Sequence, residues 1–269
     1  MRRAFLVLAV LVAAAMPAHA GTRPYDLEGW LAAATAVRPA EPKDWRLNVG
    51  FGAIAAPDYL GGEDYTTHPL PLVDIEWRGA FFLSTQRGAG VALFRKRNVR
   101  AGVRLTVDAG RDSGVDSRLA PLDDIDPTLE IGFFGVYYKG PWRLEADVRR
   151  GLAGDHEGIV TTLGAAYGSR IGKRVSLILG GALYIANGAY LGTFFGVPAA
   201  KATAALPAFT PSGGLRNTEG YLQIIYDIDR NFYFALDLRA GLMLGNAADS
   251  PVTVSDAYAG VGSVLGYRF

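Results

Sequence analysis

The sequence predicts an all-β fold, namely a transmembrane antiparallel up-and-down β-barrel of about twelve strands. Three observations lead to this prediction. The chain opens with an export signal, runs of about ten alternating apolar and polar residues follow from Trp45 onward, and the chain ends on Phe269. The 34 glycines and 13 tyrosines favour turns and strands. Beyond the export signal, no stretch approaches the roughly 20 apolar residues of a transmembrane helix.

Residues 1–20 have the order of a secretory signal peptide. Arg2 and Arg3 precede an apolar run over residues 4–15, and small residues surround the end of the segment at Ala20. The apolar run is too short to span a bilayer as a helix. We therefore expect cleavage after Ala20, export, and a final location in the outer membrane of a Gram-negative cell.

The composition excludes several classes of protein. The chain has 27 basic and 26 acidic residues, so it lacks the basic excess that attracts nucleic acid, and no nucleic-acid partner is expected. It contains no cysteine, which rules out disulfides, thiolate metal sites, a catalytic thiol and a lipid-modified N-terminal cysteine. An anchor in the membrane must therefore come from the fold itself.

The alternation is clearest over residues 99–109. Apolar side chains occupy every second position from Val99 to Val107, and Arg100 and Arg104 lie between them. Because successive side chains of a strand point to opposite faces, one face is apolar and the other polar. The same pattern predicts strands over residues 45–56, 69–77, 80–86, 89–96, 99–109, 128–138, 142–151, 158–168, 174–187, 218–228, 231–243 and 257–269.

Residues 45–269 are thus expected to form the barrel, after an N-terminal periplasmic segment over residues 21–44. Short turns are predicted at 78–79, 97–98, 139–141, 169–173 and 229–230, and longer loops at 57–68, 110–127, 152–157, 188–217 and 244–256. Short turns face the periplasm in outer-membrane barrels. The short link Arg87-Gly88 falls on the loop side, so ten strands are the alternative, without 80–86 and 89–96. A soluble β-sandwich would show the same alternation, but the charged faces and the chain end argue against it.

The last strand ends on an apolar face that carries Leu265, Tyr267 and Phe269. This ending resembles the signal that the barrel-assembly machinery recognises, so that machinery and the lipid bilayer are predicted partners. Aromatic residues beside the predicted periplasmic turns and the termini fit a girdle at the membrane interface. They are Trp45, Trp77, Tyr137, Trp142, Tyr167, Phe232 and Phe269.

The polar faces of the predicted strands direct charges of both signs into the lumen. These are Arg46, Asp74, Glu76, Arg100, Arg104, Asp108, Glu130, Arg143, Glu145, Asp147, Arg149, Asp227, Asp237 and Arg239. Small barrels are filled by side chains and large ones hold a channel, so a barrel of intermediate size with paired charges is expected to have a narrow or plugged path. Arg104 and Arg143 are expected to pair with Glu130 and Glu145.

Candidates for chemistry are few. His68 and His156 both fall in predicted extracellular loops, and Asp155 could orient His156 as a base, but no matched nucleophile accompanies either histidine. Acidic residues of the loop 110–127 could bind Ca²⁺, yet they lack the EF-hand pattern. These are Asp112, Asp116, Asp123, Asp124 and Asp126. We therefore expect solvated loops, with no catalytic residues, no metal site and no cofactor.

Six short motifs carry a resemblance to a known family. They are Pro57-Asp58-Tyr59-Leu60-Gly61-Gly62, Pro69-Leu70-Pro71, Gly110-Arg111-Asp112, Phe194-Phe195-Gly196-Val197, Ala248-Asp249-Ser250-Pro251 and Gly266-Tyr267-Arg268-Phe269. In these motifs and in their order the chain resembles the MipA/OmpV family. The resemblance implies an outer-membrane scaffold for murein (peptidoglycan) synthesis, which brings a lytic transglycosylase together with a bifunctional penicillin-binding protein.

Three functions therefore remain open. The leading hypothesis is a non-enzymatic scaffold that contacts murein enzymes through the periplasmic turns and residues 21–44. The alternative is a small outer-membrane channel or solute-uptake barrel, whose selectivity would come from the lumen charges. A third hypothesis is an outer-membrane enzyme that uses His68 or His156.

Overall fold

The computed structural model describes residues 44–269, in which twelve antiparallel strands close into a barrel. Each strand pairs with its neighbours in sequence, and the first strand pairs with the last. The predicted twelve-stranded up-and-down barrel is confirmed, and the ten-stranded alternative is wrong. The predicted signal peptide, and the predicted periplasmic segment except for Asp44, lie outside the described residues.

The strands vary in length and run in alternating directions around the barrel. Their bounds are β1 (Trp45–Pro57), β2 (Tyr65–Trp77), β3 (Phe81–Ser84), β4 (Gly88–Lys96), β5 (Val99–Asp108), β6 (Thr128–Lys139), β7 (Trp142–Ala153), β8 (Ile159–Ile171), β9 (Val175–Ala186), β10 (Gly214–Asp227), β11 (Phe232–Met243) and β12 (Ala257–Arg268). The long loops contain two helices, α1 (Gly188–Phe195) and α2 (Gly245–Ala248). Within residues 44–269 no helix is long and apolar enough to cross a membrane.

Two strands begin four residues earlier than the sequence predicts. β2 starts at Tyr65 instead of residue 69, and β10 starts at Gly214 instead of residue 218. The early part of β2 is held by β1, whose Pro57 pairs with Tyr65. Proline and glycine at these positions suggest loops when the sequence is read alone, whereas ladder pairing with a long neighbouring strand extends the sheet through them.

The barrel wall is incomplete beside β2, because β3 pairs only with the last four residues of that strand. The backbone N–H of Val73 points away from β1 and donates to Thr85 Oγ1 at 3.2 Å. Backbone groups two residues apart on a strand point the same way, so the nitrogens of Pro69 and Pro71 face this open edge. Proline has no N–H to leave unpaired, and it is therefore suited to an edge position.

The outer surface of the barrel is apolar. Phe51, Phe133 and Leu179 are 65%, 66% and 63% exposed, although large apolar residues are usually buried in proteins that water surrounds. Their neighbours along each strand turn inward, where most are buried. An apolar outer wall and a polar lumen are the arrangement of a barrel whose outer surface contacts lipid.

One end of the barrel, here called the turn end, carries the short turns. Trp77 stacks on Trp45 at 5.9 Å and on Phe81 at 5.4 Å between ring centroids, where a girdle of aromatic rings is expected. Between Trp77 and Phe81, Arg78 and Gly79 both have positive φ, 52° and 63°. This is the backbone of a type I′ turn, whose twist matches that of a tight β-hairpin. The opposite end, with the long loops, is called the loop end.

Candidate functional site

The lumen near the turn end contains a group of ion pairs around Glu76. This buried carboxylate contacts the guanidinium groups of Arg46 and of Arg100, the latter at 3.3 Å. Arg87 Nη2 lies 2.6 Å from Asp74 Oδ1. Arg87 was not predicted, because the sequence assigned it to a link between strands. The short β3 leaves that link inside the barrel wall, so the Arg87 side chain reaches the lumen.

A second group lies on the wall formed by β5, β6 and β7. Asp147 contacts Arg104 at 2.7 Å and Arg149 at 3.1 Å. In the strand register Gly132 lies between these two arginines. A Cβ added at Gly132 would lie 2.8 Å from Arg149 Cγ, so the missing side chain leaves room for both guanidinium groups.

The predicted pairing partners are only partly those that the structure brings together. Arg143 contacts Glu145, as expected. Arg104 is held by Asp147, and the neighbour of Glu130 is Arg149, with 3.7 Å between Arg149 Nη1 and Glu130 Oε2. Alternation predicts which face of the strand a side chain occupies. The position of the residue along the barrel axis depends instead on the register between strands, which alternation does not give.

A third group lies between β10 and β11 and is buried. Arg239 contacts Asp237 and lies 2.9 Å from Glu219, and Gln223 Nε2 donates to Asp237 Oδ2 at 2.8 Å. Glu219 was not predicted, although it has the same parity as Asp227 along the strand. The signal that could have found it was therefore present in the alternation.

Asp227 forms ion pairs with two arginines at the turn end of the lumen. It contacts Arg268 at 2.7 Å and Arg170 at 3.1 Å. The prediction missed both arginines, because Arg170 was assigned to a turn and Arg268 to the terminal motif. β8 continues through Ile171 in the structure, which aligns Arg170 with the lumen wall.

Charged side chains line the β3–β8 side of the lumen. A cavity of about 50 Å³ remains among them. Its walls include Phe82, Arg87, Arg100, Arg104, Phe134, Arg143, Glu145 and Asp147. A volume of this size holds only a few water molecules. The charged side chains of this wall are linked to one another by ion pairs.

The loop end is closed by a folded structure that we call the loop cap. Its apolar core comes from four loops and consists of Tyr59, Leu119, Leu122, Val197, Leu206 and Val252. Below it, α1 buries Tyr190, Leu191 and Phe194. Burying a large apolar side chain contributes about 1.5–3 kcal/mol, so the loop cap is held by packing of the same kind as a protein core.

Hydrogen bonds join the loop cap to α1. Arg111 Nη1 donates to the carbonyl of Phe194, and Ser250 Oγ donates to the carbonyl of Phe195, both at 2.6 Å. Burial lowers the pKa of Arg111 to about 10. Arg111, Phe194, Phe195 and Ser250 belong to motifs that are far apart in the sequence. Three of the six motifs that carry the family resemblance therefore meet in this cap.

The expectation that His156 is a solvated loop residue is wrong. The residue is 2% exposed, and its ring packs edge-on against Tyr190 and Phe194, at 5.2 and 5.7 Å between centroids. The cause is α1, which folds back onto the link between β7 and β8, so that Gly158 lies against the Tyr190 backbone. His68 is likewise not in a loop but in β2. Alternation along single strands does not reveal such packing.

Acidic residues of the loop 110–127 accept hydrogen bonds from other loop residues. Asp124 accepts hydrogen bonds from Ser113 N at 2.8 Å and Ser113 Oγ at 2.6 Å, which lower the pKa of the Asp124 carboxyl. Asp116 accepts a hydrogen bond from Tyr59 Oη at 2.9 Å. Within residues 44–269, the five acidic residues considered for Ca²⁺ do not converge on one point.

Comparison with solved structures gives barrels at low identity. OmpT of Vibrio cholerae is 9% identical, with 84% of this chain and 98% of that chain covered and a TM-score of 0.40. The channel DcaP of Acinetobacter baumannii is 8% identical, with 84% and 96% covered and a TM-score of 0.40. Neisserial surface protein A is 9% identical, with 84% and 96% covered and a TM-score of 0.26. Scores of this size support no functional comparison.

Sequence comparison is more specific. No curated protein matches the chain significantly. The sequence profile of one family, described as MltA-interacting protein MipA, matches residues 49–269. The matched region includes the barrel wall from Val49 in β1 to the end of β12 and the four loops of the cap. The apolar outer wall makes the protein an outer-membrane β-barrel, and the profile match shows that the chain belongs to the MipA family.

Proposed function

We propose that the protein is a non-enzymatic outer-membrane scaffold, exported by the signal peptide 1–20, that binds murein-synthesis enzymes in the periplasm. Contact would be made by the short turns and residues 21–44. The observation that carries this proposal is the blocked lumen. Buried side chains fill its interior and the loop cap covers its loop end. The surface, and not a path through the barrel, is therefore the part available to a partner.

The charge of the turn end supports a periplasmic partner. Its exposed basic residues are Arg78, Arg95, Lys96, Arg97, Lys139, Arg170, Lys173, Arg174 and Arg230. Among the described residues, the exposed acidic ones at this end are Asp44 and Asp229. The loops at the other end are instead rich in aspartate and glutamate. A basic rim attracts an acidic protein surface and accelerates its docking.

The family description supports the identity of the partner. It names interaction with MltA, and the resemblance noted above implies a lytic transglycosylase joined to a bifunctional penicillin-binding protein. We propose these two enzymes as the partners, and we propose that the barrel-assembly machinery inserts the scaffold. On this view the membrane-embedded barrel fixes the position of the enzymes, and catalysis belongs to them.

Co-purification from detergent-solubilised envelopes tests the proposal. The full protein is compared with a variant that lacks residues 21–44 and with a turn variant that carries Arg97→Glu, Lys173→Glu and Arg174→Glu. The matched control carries Asp123→Lys, Asp124→Lys and Asp126→Lys in the exposed loop at the other end. The transglycosylase is identified by its own antibody.

We expect the transglycosylase to co-purify with the full protein and with the loop control. Recovery should fall by about tenfold with the turn variant, since three reversed charges each remove a favourable contact of a few tenths of a kcal/mol or more. Equal recovery from all four proteins would contradict docking at the turn end. Absence of the enzyme from every preparation would contradict the scaffold itself.

A further inference from the structure

Three side chains with metal-binding atoms meet in the lumen just below α1. Asp108 ends β5, Glu130 lies near the start of β6, and His156 lies in the link between β7 and β8. His156 Nε2 is 3.8 Å from Glu130 Oε1 and 4.0 Å from Asp108 Oδ2. One ligand atom from each residue lies within 4.8 Å of the other two. Three separate elements of the fold thus supply one nitrogen and two oxygens to one point.

The imidazole of His156 has no hydrogen-bond partner among the described residues at either ring nitrogen. The residue is only 2% exposed, and buried polar atoms almost always have a partner in native proteins. Its Nε2 faces the carboxylates of Glu130 and Asp108, at 3.8 and 4.0 Å, both beyond hydrogen-bond distance. A buried nitrogen without a hydrogen-bond partner, which faces two carboxylates across a gap, is the arrangement expected where a cation binds between the three groups.

We propose that His156, Asp108 and Glu130 bind one divalent transition-metal ion of the zinc class. Imidazole nitrogen and carboxylate oxygen are ligands that such ions prefer, and a fourth position can be filled by water. Bonds of about 2.0–2.2 Å place tetrahedral ligand atoms about 3.4 Å apart. The two carboxylates would therefore each approach His156 Nε2 by roughly half an ångström, and the distance between them, at most 4.8 Å, would also shorten around the ion. This site is independent of the scaffold function proposed above.

The carboxylates are already held in place by a second layer of hydrogen bonds. Thr106 Oγ1 donates to Glu130 Oε2 at 2.9 Å, which leaves Glu130 Oε1 toward the histidine. The hydroxyl of Tyr190 lies 3.2 Å from Asp108 Oδ2, and the Gly110 N–H donates to Asp108 Oδ1 at 3.0 Å. Supporting hydrogen bonds of this kind orient metal ligands and strengthen binding.

The competing occupant is a proton on the imidazole. An imidazolium between two carboxylates would also relieve the unpartnered nitrogen. Positive groups that face the site are Arg149, 3.7 Å from Glu130 Oε2, and Arg216, which donates to the Tyr190 hydroxyl at 3.0 Å. Their positive charges disfavour both a proton on the imidazole and a metal ion. A divalent ion, however, also gains coordinate bonds to all three side chains.

Zinc binding to the full barrel, purified in detergent and stripped of metal with a chelator, tests the proposal. Isothermal titration with Zn²⁺ gives stoichiometry and affinity, and Co²⁺ gives the visible absorption of a tetrahedral site. The test variants are His156→Ala, Glu130→Gln and Asp108→Asn. The matched control is His68→Ala, which removes the other histidine of the described chain from β2. Heat-modifiable migration on gels confirms that each variant is folded.

We expect one Zn²⁺ per chain in the unmodified protein and in His68→Ala. Each of the three test variants should weaken binding by at least about tenfold, since losing a ligand exceeds the effect of losing its supporting contact. If His156→Ala does not fold, the two near-isosteric carboxylate variants decide. The proposal is overturned if binding is not saturable, if the test variants bind as the unmodified protein does, or if only His68→Ala loses binding.

Discussion

Single buried charges determine how firmly the lumen is held together. Arg239 lies 2.9 Å from Glu219 and also contacts Asp237, and all three residues are buried. Removing one member of a buried ion pair leaves its partners uncompensated, which costs about 3–5 kcal/mol. We therefore expect Arg239→Met to lower the free energy of unfolding by about that amount, as measured by urea unfolding of the barrel in detergent micelles.

The control for this measurement is Arg97→Met, at an exposed turn. A surface substitution of this kind should change the free energy of unfolding by less than about 0.5 kcal/mol. Indistinguishable stabilities of Arg239→Met and the unmodified barrel would mean that water already reaches Glu219 and Asp237, contrary to the buried network.

The residues of the site were only partly predictable from the sequence. Alternation directs Arg104 and Asp147 to the lumen because it follows from backbone geometry alone. It does not give their positions along the barrel axis, so the ion-pair partners predicted for Arg104 were wrong. It also says nothing of residues between strands, and so it missed Arg87. The burial of His156 depends on a helix from a distant loop, which no local pattern contains.

The closing strand β12 gives a prediction at the scale of one element. The backbone N–H of Phe269 donates to the carbonyl of Leu47 in β1 at 3.0 Å, and its ring packs on Tyr267 at 4.6 Å between centroids. Deleting Phe269 removes this contact at the seam and the terminal aromatic residue of the predicted assembly signal. We expect an exported chain that periplasmic proteases remove, with a several-fold lower yield in outer-membrane fractions.

The control for the deletion is Phe269→Tyr, which keeps an aromatic ring and the length of the chain. It should reach the outer membrane in normal amount. A normal yield of the truncated protein would show that assembly does not depend on this residue, and the proposed signal of Leu265, Tyr267 and Phe269 would have to be abandoned.

Strands were predicted well and loops poorly, for a physical reason. A strand that separates lipid from a polar lumen must alternate, so β5, β7 and β11 are visible in the sequence. The limits of β2 depend on how far β1 continues beside it, which the sequence of β2 does not contain. The helix α1 was assigned to a loop, because its eight residues are stabilised by packing over the lumen and are too few for a helix to form alone.

At the scale of the whole molecule, the closed lumen predicts little conduction. Buried side chains fill the interior and the loop cap covers the loop end. In a planar lipid bilayer, we expect the purified barrel to conduct ions far less than an open channel of the same strand number. Replacing residues 188–213 with a short flexible linker removes α1 and much of the cap. That variant should conduct measurably more than the unmodified protein.

A barrel without residues 21–44 controls for effects of the N-terminal segment and should stay closed. A large and steady conductance of the unmodified protein would reject the blocked lumen. It would then favour a channel or solute-uptake barrel over a scaffold, because the lumen charges would line a path instead of filling it.

The short β3 has a consequence for the surrounding membrane. Its four residues extend only about 13 Å at about 3.3 Å per residue, whereas the apolar band of an outer-membrane barrel is about 25 Å tall. On this side the regular wall is too short to match the hydrocarbon layer, and a bilayer answers hydrophobic mismatch by thinning. We therefore expect the bilayer to be thinner next to β3 than next to the long strands on the other side of the barrel.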